Sequence, residues 1–106
     1  MINLDATFSA LADPTRRAIL ARLCQGETTA LDLAKPFAMS QPAISRHLAV
    51  LEQAGLIESR VEGSKRPRRL SATALDGIDE WLGMLRKALE TNYDRLDRVL
   101  EALEGQ

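Results

Sequence analysis

Apolar residues recur along this chain at helical spacing up to about residue 54 and again from about residue 74. Leu4, Phe8, Leu11 and Ala12 line one face of a short first helix. Asp13-Pro14 ends it and begins a second, with Asp13 as cap and Pro14 at the first helical position, where a missing N–H costs nothing. The second helix is expected to reach about Gln25, with Ile19, Leu20, Leu23 and Cys24 as its apolar face and Gly26 as its stop. Thr29 and Asp32 have the spacing of a capping box, with Asp in place of the usual Glu or Gln. They open a third helix that turns Leu31, Leu33 and Ala34 inward and is limited by Pro36, because residues before proline avoid helical geometry. Ser40 caps a fourth helix, Pro42 sits in its first turn, and Met39 and Ile44 have the spacing of a hydrophobic staple. Ile44, Leu48 and Leu51 mark its buried face, and Gly55 its left-handed exit.

A different pattern follows. Leu56–Val61 and Arg68–Ala72 read as strands joined by a turn at residues 62–65, with Pro67 placing the second strand at an edge. Thr73, with Asp76 three residues on, opens a last helix to about Leu103, some 46 Å long if unbroken. Gly77 and Gly83 weaken it by about 1 kcal/mol each relative to Ala. The order is therefore four helices, two strands and one long helix, a mainly α chain with a small β element (α+β). The third and fourth helices with their short connection form a helix-turn-helix pattern. The hairpin directly behind them completes a winged helix-turn-helix in one domain, residues 1–106, of which 74–104 form the last helix.

The heptad spacing of that helix adds a partner. Leu82, Leu85, Leu89, Asn92, Leu96, Val99 and Leu103 alternate three and four apart, with Trp81 and Tyr93 beside them. One small domain cannot cover so long a stripe, so a second copy of the helix is expected. Asn92 is the kind of seam residue that fixes register.

Charge is uneven. The chain carries 14 Lys and Arg against 15 Asp and Glu, a net charge of −1, which by itself argues against nucleic acid. Yet residues 60–69 hold Arg60, Lys65, Arg66, Arg68 and Arg69 against Glu62 alone, a net +4. Residues 90–106 hold a net −3. A local basic patch is what phosphate binding needs, whatever the average; the bland alternative is a solvated charged loop. One cysteine and one histidine exclude an intrachain disulfide and a zinc site built from Cys and His alone. Cys24 lies on an apolar face and reads as inert core. A nucleophilic Cys24–His47 pair would need both side chains exposed in one cleft, so an enzyme is not expected. Asp94, Asp97 and Glu101 share a helix face and read as solvated. No apolar run reaches the ~18 residues of a membrane helix, and the first residues lack a signal-peptide pattern, so a cytoplasmic protein is expected.

Asp13-Pro14-Thr15-Arg16-Arg17-Ala18-Ile19-Leu20 resembles the second-helix signature of the ArsR/SmtB family of bacterial transcriptional repressors. Ser40-Gln41-Pro42-Ala43-Ile44-Ser45-Arg46-His47-Leu48, followed by Leu51-Glu52-Gln53-Ala54-Gly55-Leu56-Ile57, is similar to that family's recognition helix and its exit into the wing. The resemblance spans residues 4–72. It implies a winged-helix homodimer held by the first and last helices, so Leu4, Phe8 and Leu11 join the leucines of the last helix as interface candidates. The entry Pro36-Phe37-Ala38-Met39-Ser40 is similar to a branch without metal ligands. Thr29-Ala30-Leu31-Asp32-Leu33 has no cysteine and the last helix no histidine, so neither metal nor cofactor is expected and no effector is implied.

With Ile44, Leu48 and Leu51 inward, the fourth helix (about residues 40–54) turns Gln41, Pro42, Ser45 and Arg46 toward a major groove. Gln can bond adenine twice, Arg can bond guanine O6 and N7, Ser fits either role, and Pro42 can meet a thymine methyl. Lys65, Arg66, Arg68 and Arg69 of the wing, about residues 60–70, suit phosphates or the minor groove. Four such contacts per subunit set an upper salt slope near −7 for a dimer. Ser40 serves as cap or as phosphate contact, and His47 as structural hydrogen-bonder or as DNA contact. Arg16 and Arg17, at a helix start where cations are disfavoured, point to an external anion or to a salt bridge. The expected function is a homodimeric repressor, with its own operon as one candidate target, on an imperfect palindrome in double-stranded DNA, with two reading helices a helical turn apart. The alternative is a winged-helix protein-interaction module that binds no DNA.

Overall fold

A computed structural model describes residues 3–105. The chain divides into two compact units between Leu75 and Asp76. The first holds α1 (Leu4–Leu11), α2 (Pro14–Leu23), α3 (Ala30–Phe37), α4 (Gln41–Gln53), β1 (Ile57–Ser59) and β2 (Arg68–Leu70); the second is α5 (Asp76–Glu104).

Four helix starts in the first unit are fixed by a side-chain oxygen that accepts a backbone N–H otherwise left without a partner. Asn3 serves α1, Asp13 serves α2, Thr29 serves α3 and Ser40 serves α4. The core is built from Ala10, Ile19, Leu23, Ala30, Leu33, Ala34, Ile44, Leu48, Leu51, Leu56 and Ile57. Burying a leucine or isoleucine fully stabilises the fold by about 1.5–3 kcal/mol each. Thr7 is buried among these and leaves no debt, because its hydroxyl donates to the Asn3 carbonyl and lies 3.4 Å from that of Ala54. On α1 the inward positions are thus Thr7 and Ala10. Phe8 is exposed, while Leu11 packs partly against the unit's own core.

Four local expectations are corrected. On α3 the buried positions are Ala30, Leu33 and Ala34, and Leu31 is 56% exposed. Pro36 does not end that helix but lies inside its last turn; Phe37 continues it and packs against the core, and Ala38 terminates it in left-handed geometry at φ 52°. The strands are three residues each. The last helix begins at Asp76 rather than beside Thr73, whose hydroxyl and backbone N–H instead meet the Ser71 hydroxyl.

The hairpin is antiparallel, with Ile57 opposite Leu70, Glu58 opposite Arg69 and Ser59 opposite Arg68. Glu62 and Lys65 exchange both backbone hydrogen bonds at 2.9 Å. The two-residue turn they close has Gly63 at φ 60°, in the position where such a hairpin turn needs glycine. On its far side Arg68 exchanges two backbone hydrogen bonds with Thr28, at 2.8 and 3.0 Å, so the loop before α3 is stitched to the base of the hairpin.

α5 is 29 residues, about 44 Å long. Its heptad positions Leu82, Leu85, Leu89, Leu96, Val99 and Leu103 are all exposed in the single chain, as is Asn92. No described helix is long and apolar enough to cross a membrane.

Candidate nucleic-acid interface

Ser40, Gln41 and Pro42 build the start of α4. The Ser40 hydroxyl accepts the Ala43 N–H at 3.3 Å, and the N–H that Pro42 lacks is one the first turn would leave unpaired. With Ile44, Leu48 and Leu51 buried, Gln41, Pro42, Arg46 and Ala49 are exposed and Ser45 is half-buried beside them. The Arg46 side chain makes no hydrogen bond or ion pair among the described residues. The four expected base-reading residues therefore share the outer, N-terminal part of one helix.

One flank of that surface is an open cleft of about 370 Å³. The start of α3 (residues 29–32), Gln41 and the hairpin residues Ser64, Lys65, Arg66 and Arg68 line it. The sequence placed cations here but not the start of α3, which the Thr28–Arg68 bridge brings in.

The hairpin's positive charge is much reduced by the fold. Arg60 is paired with Glu27 and, at 3.1 Å, with Glu62. Arg69 is paired with Glu58 at 2.7 Å. Arg68 is largely covered, with its Nε 3.3 Å from Glu52 of α4 and its Nη1 bonded to the Arg66 carbonyl. Glu27, Glu52 and Glu58 lie outside residues 60–69, and they bring the net +4 of that segment to +1. Lys65 and Arg66 have no carboxylate partner among the described residues; Arg66 donates only to the Ser59 hydroxyl, at 3.1 Å. The Arg60 guanidinium holds the Glu27 carboxyl below its ordinary range, and the carboxylates in turn raise Arg60.

The other flank carries His47, half-buried, and the start of α2. Arg16 and Arg17 make no salt bridge with a carboxylate among the described residues. Arg16 donates to the carbonyls of Ala10 at 2.8 Å and Ser9 at 3.1 Å, and Arg17 to that of Leu11 at 2.8 Å. These carbonyls end α1; that of Ser9 also accepts the Ala12 N–H at 3.2 Å, and for those of Ala10 and Leu11 the two guanidiniums serve as a C-terminal cap. This role was missed in the sequence. The signal for it in the sequence is a pair of cationic side chains just beyond a helix end. The Asp13 carboxyl is held below its ordinary value, chiefly by the Arg16 backbone N–H it accepts and then by the charge of Arg16 and the proximity of His47.

Cys24 is corrected as well. The second helix ends at Leu23, so Cys24 is its cap and is exposed rather than core. Among the described residues no group of three or more His, Cys, Asp or Glu could hold a metal ion.

The helix-turn-helix, its flanking hairpin and the outward polar face of α4 define a winged helix-turn-helix protein. Residues 13–59 match the model of a bacterial regulatory protein family, the arsR family. The chain is 40% identical over 92 residues to the HTH-type transcriptional regulator Rv2034 of Mycobacterium tuberculosis, spanning 87% of this chain and 86% of that one. It is 39% identical over 79 residues to the transcriptional repressor SdpR of Bacillus subtilis, spanning 74% and 88%. Among solved structures it resembles the homodimeric winged helix-turn-helix DNA-binding domain Mb0332 of Mycobacterium bovis, described as a possible ArsR-family regulator. The TM-score is 0.65 and the identity 26%, over 79% of this chain and 78% of that one. The chain belongs to the arsR family of bacterial regulatory proteins.

Proposed function

We propose that this regulator acts as a homodimeric, sequence-specific repressor on an imperfect palindrome in double-stranded DNA, in the bacterial cytoplasm. α4 enters the major groove, where Gln41, Pro42, Ser45 and Arg46 read bases. Lys65 and Arg66 hold phosphates beside the cleft, and Ser40 caps the helix that carries the readers. The observation that carries this reading is the exposed outer face at the start of α4, with Arg46 at its centre, beside the hairpin's two cations without carboxylate partners. The exposed heptad stripe of α5 supports the dimer, because leaving six such side chains in water forgoes several kcal/mol of burial. The named repressor and homodimeric domain among the similar proteins support the same reading.

The test starts by selecting bound fragments from fragmented bacterial DNA. Affinities are then measured on a selected site and on a random-sequence duplex. Arg46→Ala is expected to lower affinity for the selected site by about 1–3 kcal/mol and leave the random duplex nearly unchanged. Arg66→Ala is expected to weaken both alike and to flatten the salt dependence. No retained fragment at micromolar protein in low salt, or equal losses for both variants on both duplexes, overturns it.

A further inference from the structure

Arg16 is tied down on three sides. Its backbone N–H donates to Asp13 at 3.0 Å, and its Nε and Nη2 donate to the last carbonyls of α1. A guanidinium is planar with its donors in a fixed fork, so these bonds also fix where Nη1 lies. It lies 3.4 Å from Nδ1 of His47, on the recognition helix and 31 residues away in sequence. Guanidinium nitrogens only donate, so Nδ1 has to accept. An imidazole that accepts at Nδ1 is neutral and carries its proton on Nε2. The other tautomer would set one N–H against another, and the doubly protonated ring would add a second positive charge. The Asp13 carboxylate is near the ring as well, and its Oδ2 accepts the Arg16 backbone N–H. The ring is half-buried, so part of it remains open to the surface.

The geometry points to Arg16 as a positioning residue that fixes His47 in its Nε2–H form, so that the recognition helix offers that proton to a DNA phosphate. The phosphate half of this rests on the DNA-binding reading above; the tautomer half does not. The two roles expected for His47, structural bond and DNA contact, then fall to its two ring nitrogens.

Because the chain has one histidine, its ring nitrogens can be read without assignment in ¹⁵N-labelled protein at alkaline pH. Nδ1 is expected to show the shift of an unprotonated nitrogen and Nε2 that of a protonated one. In Arg16→Gln both should move toward the average of the two tautomers. A protonated Nδ1 in the unaltered protein overturns the proposal even if the variant fails to fold, and so does a folded Arg16→Gln with unmoved shifts. For the phosphate, His47→Gln places an amide N–H about where Nε2 lies, whereas His47→Asn reaches only to Nδ1. On a random-sequence duplex of about 30 base pairs, where backbone contacts dominate, His47→Asn should lose about tenfold in affinity and His47→Gln stay within about threefold. Equal affinities for the two variants, with the unaltered protein binding, defeat the proposal alone. If the unaltered protein binds no duplex while its spectra show the Nε2–H form, the DNA reading and the phosphate role fail together and the tautomer lock stands.

Discussion

Asp13 holds its carboxylate against the backbone N–H of Arg16, and with it the corner between α1 and α2. Folding lowers its pKa, chiefly through that hydrogen bond. Its contribution is therefore complete above the unfolded value of about 3.9 and is lost as pH falls through the lower folded value. Asn caps a helix as well as Asp does and does not titrate. Asp13→Asn should thus be close to neutral at pH 7 and should flatten the acid limb of stability against pH below about 4, measured by urea unfolding at a series of pH values. An unchanged acid limb would remove Asp13 from the account. Caps of this kind were legible because their chemistry is local: Asp13, Thr29 and Ser40 each serve a backbone N–H three residues on. The roles of Arg16 and Arg68 were not, since His47 lies 31 residues from the one and Glu52 lies 16 residues from the other. Cys24 was misplaced by a single position: with the helix ending at Leu23, the apolar face ends there too.

Among the elements, α4 was legible almost residue by residue, because Ser40, the staple pair and Gly55 all agree with its apolar spacing. α3 was less so. Pro36 biases Lys35 away from helical geometry, yet the helix continues to Phe37, whose packing outweighs that local preference. The strain appears one residue later. Ala38 adopts φ 52°, a geometry in which its Cβ crowds the following carbonyl. Ala38→Gly should relieve that strain and lose part of the gain to the freer unfolded chain, a net stabilisation of about 0.5 kcal/mol. Thermal unfolding should then rise by a few degrees for a chain of this size. A lower melting temperature would mean that the methyl group of Ala38 is wanted in the turn between α3 and α4. The strands came out shorter than expected since apolar content alone does not mark where pairing stops.

For the molecule as a whole, the heptad stripe of α5 was legible from spacing alone, and its exposure leaves room for a second copy. Sedimentation is expected to give a dimer at micromolar concentration, and Leu89→Lys with Leu96→Lys should shift it to the 11.7 kDa species. A monomer in the unaltered protein would remove the interface. What the sequence could not show was how much of its basic segment the fold neutralises. Counting only Lys65 and Arg66 in each of two subunits, the logarithmic salt slope should lie near −4, at about −0.9 per phosphate, rather than near −7. A titration from about 50 to 200 mM salt separates the two values. The arrangement around Arg68 has a mechanical consequence. Its backbone lies opposite Ser59 in the hairpin and is hydrogen-bonded to Thr28 on the other side, and its side chain is pinned to Glu52 of α4. The root of the hairpin is thereby anchored to the loop ahead of α3 and to α4, while its tip at residues 62–66 is tied only to other hairpin residues, Ser59, Arg60 and Arg68. Any swing that lets the tip follow a backbone of varying groove width would pivot above this anchor and leave the bearing of α4 undisturbed.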